Sequence, residues 1–469
     1  MHSRELLTAA AGHVAAFLET LPDAPVAADV RDPGVLREAL GMPLGDGPVD
    51  ARTVLDDLVA AASPGIVRSA SPRYFGFVIG GALPAALAAD MVAAGWDQNA
   101  GGYALSPASG VVEDVVGGWL AELLGLPATA SFGLTTGCQM AHVTCLAAAR
   151  HAVLGRVGWD AEVDGLQGAP AVRLVVSDER HVTIDRAARL LGFGTAALVP
   201  VAVDARGRVD GAALRDVLAG GDGPTIVCAQ AGDVNTGDFD PIAEIVAAAH
   251  AAGAWLHVDG AFGLWAAASP RHRHLVDGCA GADSWATDAH KWLNVPYDCG
   301  LAFVADPAPH RAAMGASAAY LRIGDEGERD GSAFVPDFSR RARGFAVYAA
   351  LRSLGRSGVA ELVERCCACA RRFAEVLGAE PGIEVLNAVV LNQVLVRFGD
   401  DDAATDAIVA AIQADGTCWM GPTAWRGRRA MRISVSNWAT TLSDVDRSCA
   451  AILRAARGRA AVHAEPPLS

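Results

Sequence analysis

From about residue 130, short β-branched and apolar runs alternate with alanine-rich stretches whose apolar positions recur at helical spacing. AVRLVVSD reads as a strand and IDRAARLLG as a helix, then ALVPVAVD as a strand and GAALRDVLAGG as a helix. TIVCAQAG is a strand, DPIAEIVAAAHAAG a helix, and AWLHVDGAF and CGLAFVAD are strands again. Alternation of this kind predicts a mostly parallel sheet covered by helices. Ligands of such sheets gather beyond the carboxyl ends of the strands, so polar residues just after a strand carry the most weight.

The end of the chain changes character. A helix pair over about 344–378 leads to GIEVLNAVVLNQVLVRFG, which reads as adjacent strands. TDAIVAAIQADG is then a helix, AMRISVSNW a strand and LSDVDRSCAAILRAARG a closing helix, which makes a small α+β unit. Residues before about 70 form helices and an extended stretch with no core of their own, which predicts packing on another part of the molecule or on a second copy. The expected organisation is an N-terminal helical segment at 1–70, a large ligand-binding domain at 71–345 and a small domain at 346–469.

Composition narrows the partners. The 469 residues exceed what one core organises. A hydrophobic fraction of 52% with 19% charged residues describes a compact chain. The net charge of −15, with basic residues scattered, argues against nucleic acid or an anionic membrane as partner. The N-terminus lacks a basic start followed by a long apolar core, so no signal peptide is expected. No unbroken apolar run reaches bilayer length. Ten cysteines without framework spacing suit a reducing cytoplasm. Cys366, Cys367 and Cys369 lie in a helical pattern and read as core rather than metal ligands. His272 and His274, after Pro270, read as a solvated loop.

Four strand ends hold candidate chemistry. In SFGLTTGCQMAHVTCLAAAR, a short run into Gly137, Cys138 and Gln139 opens a helix; free N–H groups there make an anion site, or Thr135 or Thr136 simply caps the helix. His181 follows a strand in LVVSDERH and could cap, pack or stack on a ligand ring. Asp259 ends the strand AWLHVDGAF, and a buried carboxylate there needs a partner: a protonated ring nitrogen, an arginine or a cap. Lys291, in DSWATDAHKWLNVPYDCG, could snorkel to the surface or serve as a nucleophile whose pKa desolvation lowers. A phosphate, an aromatic ring with a basic nitrogen and an aldehyde would satisfy all four, and pyridoxal phosphate (PLP) has each.

The ordered set TTGCQ, SDERH, HVDGAF and DAHKW resembles the group II PLP-dependent amino-acid decarboxylases, which include the aromatic-amino-acid and glutamate decarboxylases. The likeness extends from SPRYFGFVIGGALPAALAADM to RISVSNW and so covers nearly the whole chain. It implies an α/β, aspartate-aminotransferase-like fold (PLP fold type I) with a mostly parallel seven-stranded sheet and a small α+β domain. It implies that Lys291 bonds to the cofactor aldehyde and that Asp259 pairs with the ring nitrogen. His181 would stack on one ring face and Ala261 press on the other, with Gly137, Cys138, Gln139 and His290 at the phosphate. It also implies a homodimer with shared active sites.

Three positions depart from the family pattern. The stretch RIGDEGERDGSAFVPDFSRR lacks the tyrosine that relatives carry on a mobile loop, and Tyr320 lies upstream of it. Asp288 stands where many relatives have an asparagine near the phosphate. Asp233 replaces the first threonine of a threonine-rich turn. Phe77, Val78 and Ile79, with Trp96 and Trp419 or Trp425, would line an apolar substrate pocket, or are core. Arg432 aligns with an aminotransferase arginine that grips a carboxylate, or makes a salt bridge within the small domain. The expected reaction is decarboxylation of an apolar L-amino acid to the amine. An aminotransferase, a decarboxylating aldehyde synthase and a non-catalytic protein of the same fold are the alternatives.

Overall fold

The computed structural model describes residues 3–316 and 328–464. The chain divides into two compact units, one of Gly80–Arg371 with Asn387–Val394, the other of Met1–Ile79, Arg372–Leu386 and Leu395–Ser469.

The first unit is built on seven strands: β1 (Ser131–Thr135), β2 (Arg173–Ser177), β3 (Leu198–Val201), β4 (Thr225–Gln230), β5 (Trp255–Asp259), β6 (Ser284–Asp288) and β7 (Gly300–Val304). Their order is β1-β7-β6-β5-β4-β2-β3. Only β7 runs against its neighbours, antiparallel to both β1 and β6. In β4 and β5 every residue is buried. Helices cover both faces of such a sheet, which is why these strands read as continuous apolar runs without alternation.

The helix Cys138–Gly155 is apolar nearly all round, and twelve of its residues are buried. It packs into a core with Leu174, Val176, Ile226 and Trp255. Truncating its fully buried Leu146 to alanine would cost about 2–5 kcal/mol. The helix Gly344–Gly378 breaks at Gly355 (φ 61°, ψ 179°), giving the pair expected from sequence. Cys366, Cys367 and Cys369 are all buried within it. His272 corrects the solvated-loop expectation: it is 7% exposed, and its Nδ1 lies 3.1 Å from the Ser269 hydroxyl. His274 is exposed.

The second unit holds the sheet β10-β11-β9-β8, from β8 (Ile383–Val385), β9 (Gln393–Phe398), β10 (Gly421–Trp425) and β11 (Arg428–Ser434). Its N-terminal helices Ser3–Thr20, Pro33–Leu40 and Ala51–Ala62 contain no buried residue. One buried guanidinium ties the N-terminal segment down. Arg73 donates to the carbonyls of Pro22 and Ala24 at 2.9 Å and of Thr417 at 2.5 Å. Among the described residues no helix is long and apolar enough to cross a membrane.

Candidate active site

Asp259 and Asp288 end the adjacent parallel strands β5 and β6. They are 6% and 2% exposed. Asp259 Oδ1 accepts the Ala261 N–H at 3.1 Å, and Oδ2 lies 3.4 Å from His142 Nε2. Burial alone would raise the pKa of Asp259. The His142 ring outweighs it, with His181 and Lys291 adding, and holds the carboxyl well below the usual carboxylate range. The strand end therefore carries a fixed negative charge.

Lys291 is the only lysine in the chain; the other 37 Lys/Arg residues are arginine. That singularity is a sequence signal stronger than the local run DAHKW. Its Nζ lies 3.1 Å from Asp288 Oδ2, on a side chain 20% exposed. Desolvation was expected to lower its pKa, but the net direction is upward. Burial pulls down, while the Asp288 carboxylate, with that of Asp259, pulls up more. The expectation counted burial and not the acid three residues upstream. An ammonium is no nucleophile, so this amine reacts only after losing a proton, and the contact with Asp288 gives that proton a path.

At the start of the Cys138–Gly155 helix the backbone turns tightly. Gly137 sits at φ 155°, and a Cβ on Gly300 of β7 would lie 2.3 Å from the Gly137 carbonyl carbon. The helix start is therefore pressed against the sheet. Cys138 donates its N–H to Asp288 Oδ1 at 2.6 Å, and Gln139 Nε2 donates to the Thr183 carbonyl at 3.2 Å. Asp288 is thus the anion the helix N-terminus already holds. To serve a phosphate, these donors must be shared or released. His290 accepts the Cys299 N–H at Nδ1 (3.1 Å), and its ring lies 4.4 Å from that of Tyr297. His181 caps the helix Val182–Leu190: its Nδ1 accepts the Thr183 N–H at 3.4 Å, which leaves the proton of the neutral ring on Nε2.

Asp233 has a structural account: Oδ1 accepts the N–H groups of Asn235 (2.9 Å) and Thr236 (2.7 Å), closing the turn in the threonine's place. Sequence reasoning missed His142, His257 and Tyr297. The signal for the first two was present: Cys138 and His142 are four apart on a helix, Trp255, His257 and Asp259 two apart on a strand, so each set shares a face. Of the pocket candidates, Phe77 is 62% exposed and 5.4 Å from the Trp419 ring, while Val78 is buried and Ile79 half-buried. Trp425 is 6% exposed. Trp96 is 55% exposed and meets Phe345 edge-on. Arg432 is half-buried in β11 opposite Gly421. Tyr320 lies outside the described residues, as do residues 322–327 of the loop expected to lack a tyrosine.

A buried charged carboxylate, a lone primary amine and a helix start pressed on the sheet are the donor set for a pyridinium nitrogen, an aldehyde and a phosphate. The residues fit PLP, with Asp288 as the single group of the wrong sign. Residues 33–398 match the pyridoxal-dependent decarboxylase conserved domain. The chain belongs to that family. It is a PLP-dependent carboxy-lyase of amino-acid metabolism. The decarboxylase is 28% identical to Tryptophan decarboxylase 1 of Oryza sativa subsp. japonica, over 92% of this chain and 90% of the relative. It is 26% identical to Phenylacetaldehyde synthase of Arabidopsis thaliana, over 90% and 89%. The crystal structure of Oryza sativa TDC with PLP and tryptamine matches with a TM-score of 0.91 at 24% identity, covering 97% of this chain and 98% of that one. The two share the PLP fold type I expected from the motifs.

Proposed function

We propose that this decarboxylase acts on an L-amino acid with an apolar side chain, aromatic or branched aliphatic, releasing carbon dioxide and the amine. The observation that carries the substrate class is an aromatic cluster. Tyr74 stacks on Trp419 at 5.0 Å, and the exposed Phe77 tilts against the same indole. Phe77 and Val78 are held at φ 53° and 60°, a conformation that costs such residues on the order of 1–3 kcal/mol each. Strain of that kind, presenting an exposed ring, suits recognition better than core packing. The tryptophan decarboxylase relative supports the same class.

Lys291 would hold the cofactor aldehyde, Asp259 its ring nitrogen and the Gly137 turn its phosphate, with His181 and Ala261 on the two ring faces. Bound there, PLP supplies an electron-withdrawing ring that takes up the electron pair left as carbon dioxide departs. The chain's part is to keep Asp259 ionised, so that a proton stays on the nitrogen it faces. His181 offers an Nε2–H, and Asp288 receives the Lys291 proton. Burial of both aspartates keeps bulk water from competing for these protons.

A second reading has specific support. The 322–341 stretch has no tyrosine, and one relative is a phenylacetaldehyde synthase. In that case dioxygen is consumed, and an aldehyde, ammonia and hydrogen peroxide accompany the carbon dioxide. Assaying the PLP-loaded protein against the common amino acids for carbon dioxide, amine, aldehyde and peroxide tests both. Amine from an apolar substrate supports the first reading, and peroxide with aldehyde the second. Carbon dioxide from acidic or basic substrates alone contradicts the substrate class.

We further propose a homodimer. Leu7, Met42 and Leu44 are 67%, 78% and 100% exposed in a region whose helices bury nothing, and sedimentation of the pure protein would test it. We propose a cytoplasmic setting, a reading supported by ten buried cysteines that lie outside any disulfide.

A further inference from the structure

Behind Asp259 runs a line of buried polar groups that the decarboxylation chemistry leaves unassigned. His142 Nε2 lies 3.4 Å from Asp259 Oδ2, and His142 Nδ1 lies 2.9 Å from His257 Nε2. His257 Nδ1 is 3.0 Å from the Ser284 hydroxyl, which accepts the indole N–H of Trp255 at 2.9 Å. His142, His257 and Ser284 are each 0% exposed. The line follows from register. Trp255, His257 and Asp259 share one face of β5, and Ser284 pairs with His257 across β6.

One tautomer assignment runs the donors in a single direction. Trp255 donates to Ser284, Ser284 to His257 Nδ1, His257 Nε2–H to His142 Nδ1, and His142 Nε2–H to the carboxylate. Burial, with His142 beside it, pushes His257 down to about 3, so that ring is neutral at working pH. The reverse order would point a bare nitrogen at a carboxylate unless His142 carried a second proton. Either way an N–H faces Asp259.

The geometry points to His142 and His257 as positioning residues: a four-bond N–H and O–H relay from Trp255 that holds Asp259 as an oriented carboxylate for the cofactor's ring nitrogen. This rests on the reading of Asp259 as that nitrogen's partner. Other groups face Asp259 as well. They are Cys138 on the same helix as His142, Cys228 on β4, His181 and Lys291. Burial pushes Cys228 up to about 12, and Cys138 is raised well above the usual thiol range. Both thiols are therefore neutral. The cluster Cys138, His142 and Asp259 also has metal-ligand spacing, but the hydrogen bonds account for it.

The test compares the PLP holoenzymes of wild type, His142→Leu, His142→Gln and Ser284→Ala. It reads the pH midpoint of the visible band, the PLP dissociation constant, and kcat and KM separately, with thermal melts to confirm folding. Loss of an N–H donor raises the carboxylate pKa, so the acid limb of the band should move to higher pH by about one unit in His142→Leu. Its kcat should fall about ten- to hundredfold, with KM within about threefold. His142→Gln keeps a donor and should recover most of both. Ser284→Ala should move the same midpoint in the same direction by less, and it decides alone if His142→Leu does not fold. Folded variants with the wild-type midpoint and kcat overturn the relay while leaving the cofactor reading intact. A wild type with no Lys291-dependent band overturns both.

Discussion

Asp259 and Asp288 are the same residue type at the ends of neighbouring strands of one sheet, both almost fully buried, yet they stand in opposite electrostatic settings. Asp259 is backed by buried hydrogen-bond donors that reach into the core. Asp288 is neutralised inside the chain, by the Lys291 ammonium on one oxygen and the helix-start N–H of Cys138 on the other. The first keeps its charge available for a ligand; the second spends its charge on the protein. Role at a strand end is therefore set by what the adjacent helix and strand present, not by the acid itself.

Exchanging each carboxylate for its amide breaks that comparison most directly. Asp259→Asn should lower kcat/KM about 10²–10³-fold, because a preorganised charge is lost where charge develops. Steady-state assays with the best amino acid would check it, and a change under tenfold would remove Asp259 from the mechanism. Asp288→Asn should act on capture of the cofactor and less on turnover. Asp288 raises the Lys291 pKa, so its removal lowers that pKa. The pH above which PLP is captured rapidly should drop by about one unit. Freed from a like charge, the phosphate end should bind PLP about tenfold tighter. Stopped-flow capture across pH and equilibrium titration measure the two effects, and slower capture with weaker binding would reverse the assignment of Asp288.

The smallest change sharpens the phosphate side. Tyr297 is 55% exposed, yet partial desolvation with the Asp288 carboxylate nearby pushes its hydroxyl up to about 12, so it stays protonated through the neutral range and beyond. Tyr297→Phe should lower kcat by no more than about tenfold if the phenol only packs on His290. A fall beyond a hundredfold, with PLP affinity unchanged, would identify it as the proton donor that the 322–341 stretch does not supply.

What the sequence disclosed follows the same division between local and long-range order. Strands β2 to β5 were legible because each is an apolar run bounded by turn residues. SWATD (β6) and GPTAW (β10) were not, since their strand character comes from pairing partners and not from propensity. Lys291, Asp259 and His181 were legible as strand-end residues in a recognised order. The face His142 shares with Cys138 was readable, but its pairing with His257, 115 residues away, was not, because only the sheet brings the two together. The direction of the Lys291 shift was missed because a sequence shows that Asp288 is three residues away without showing that its side chain points at the amine.

The most direct test of the account exploits the single lysine. The PLP-loaded protein would be reduced with borohydride, digested and searched by mass spectrometry for pyridoxyl-modified peptide. The account expects a visible band that disappears on reduction and one modified peptide, carrying the label on Lys291. A protein that stays colourless with excess PLP, or one whose label appears only on the N-terminal amine, would contradict it.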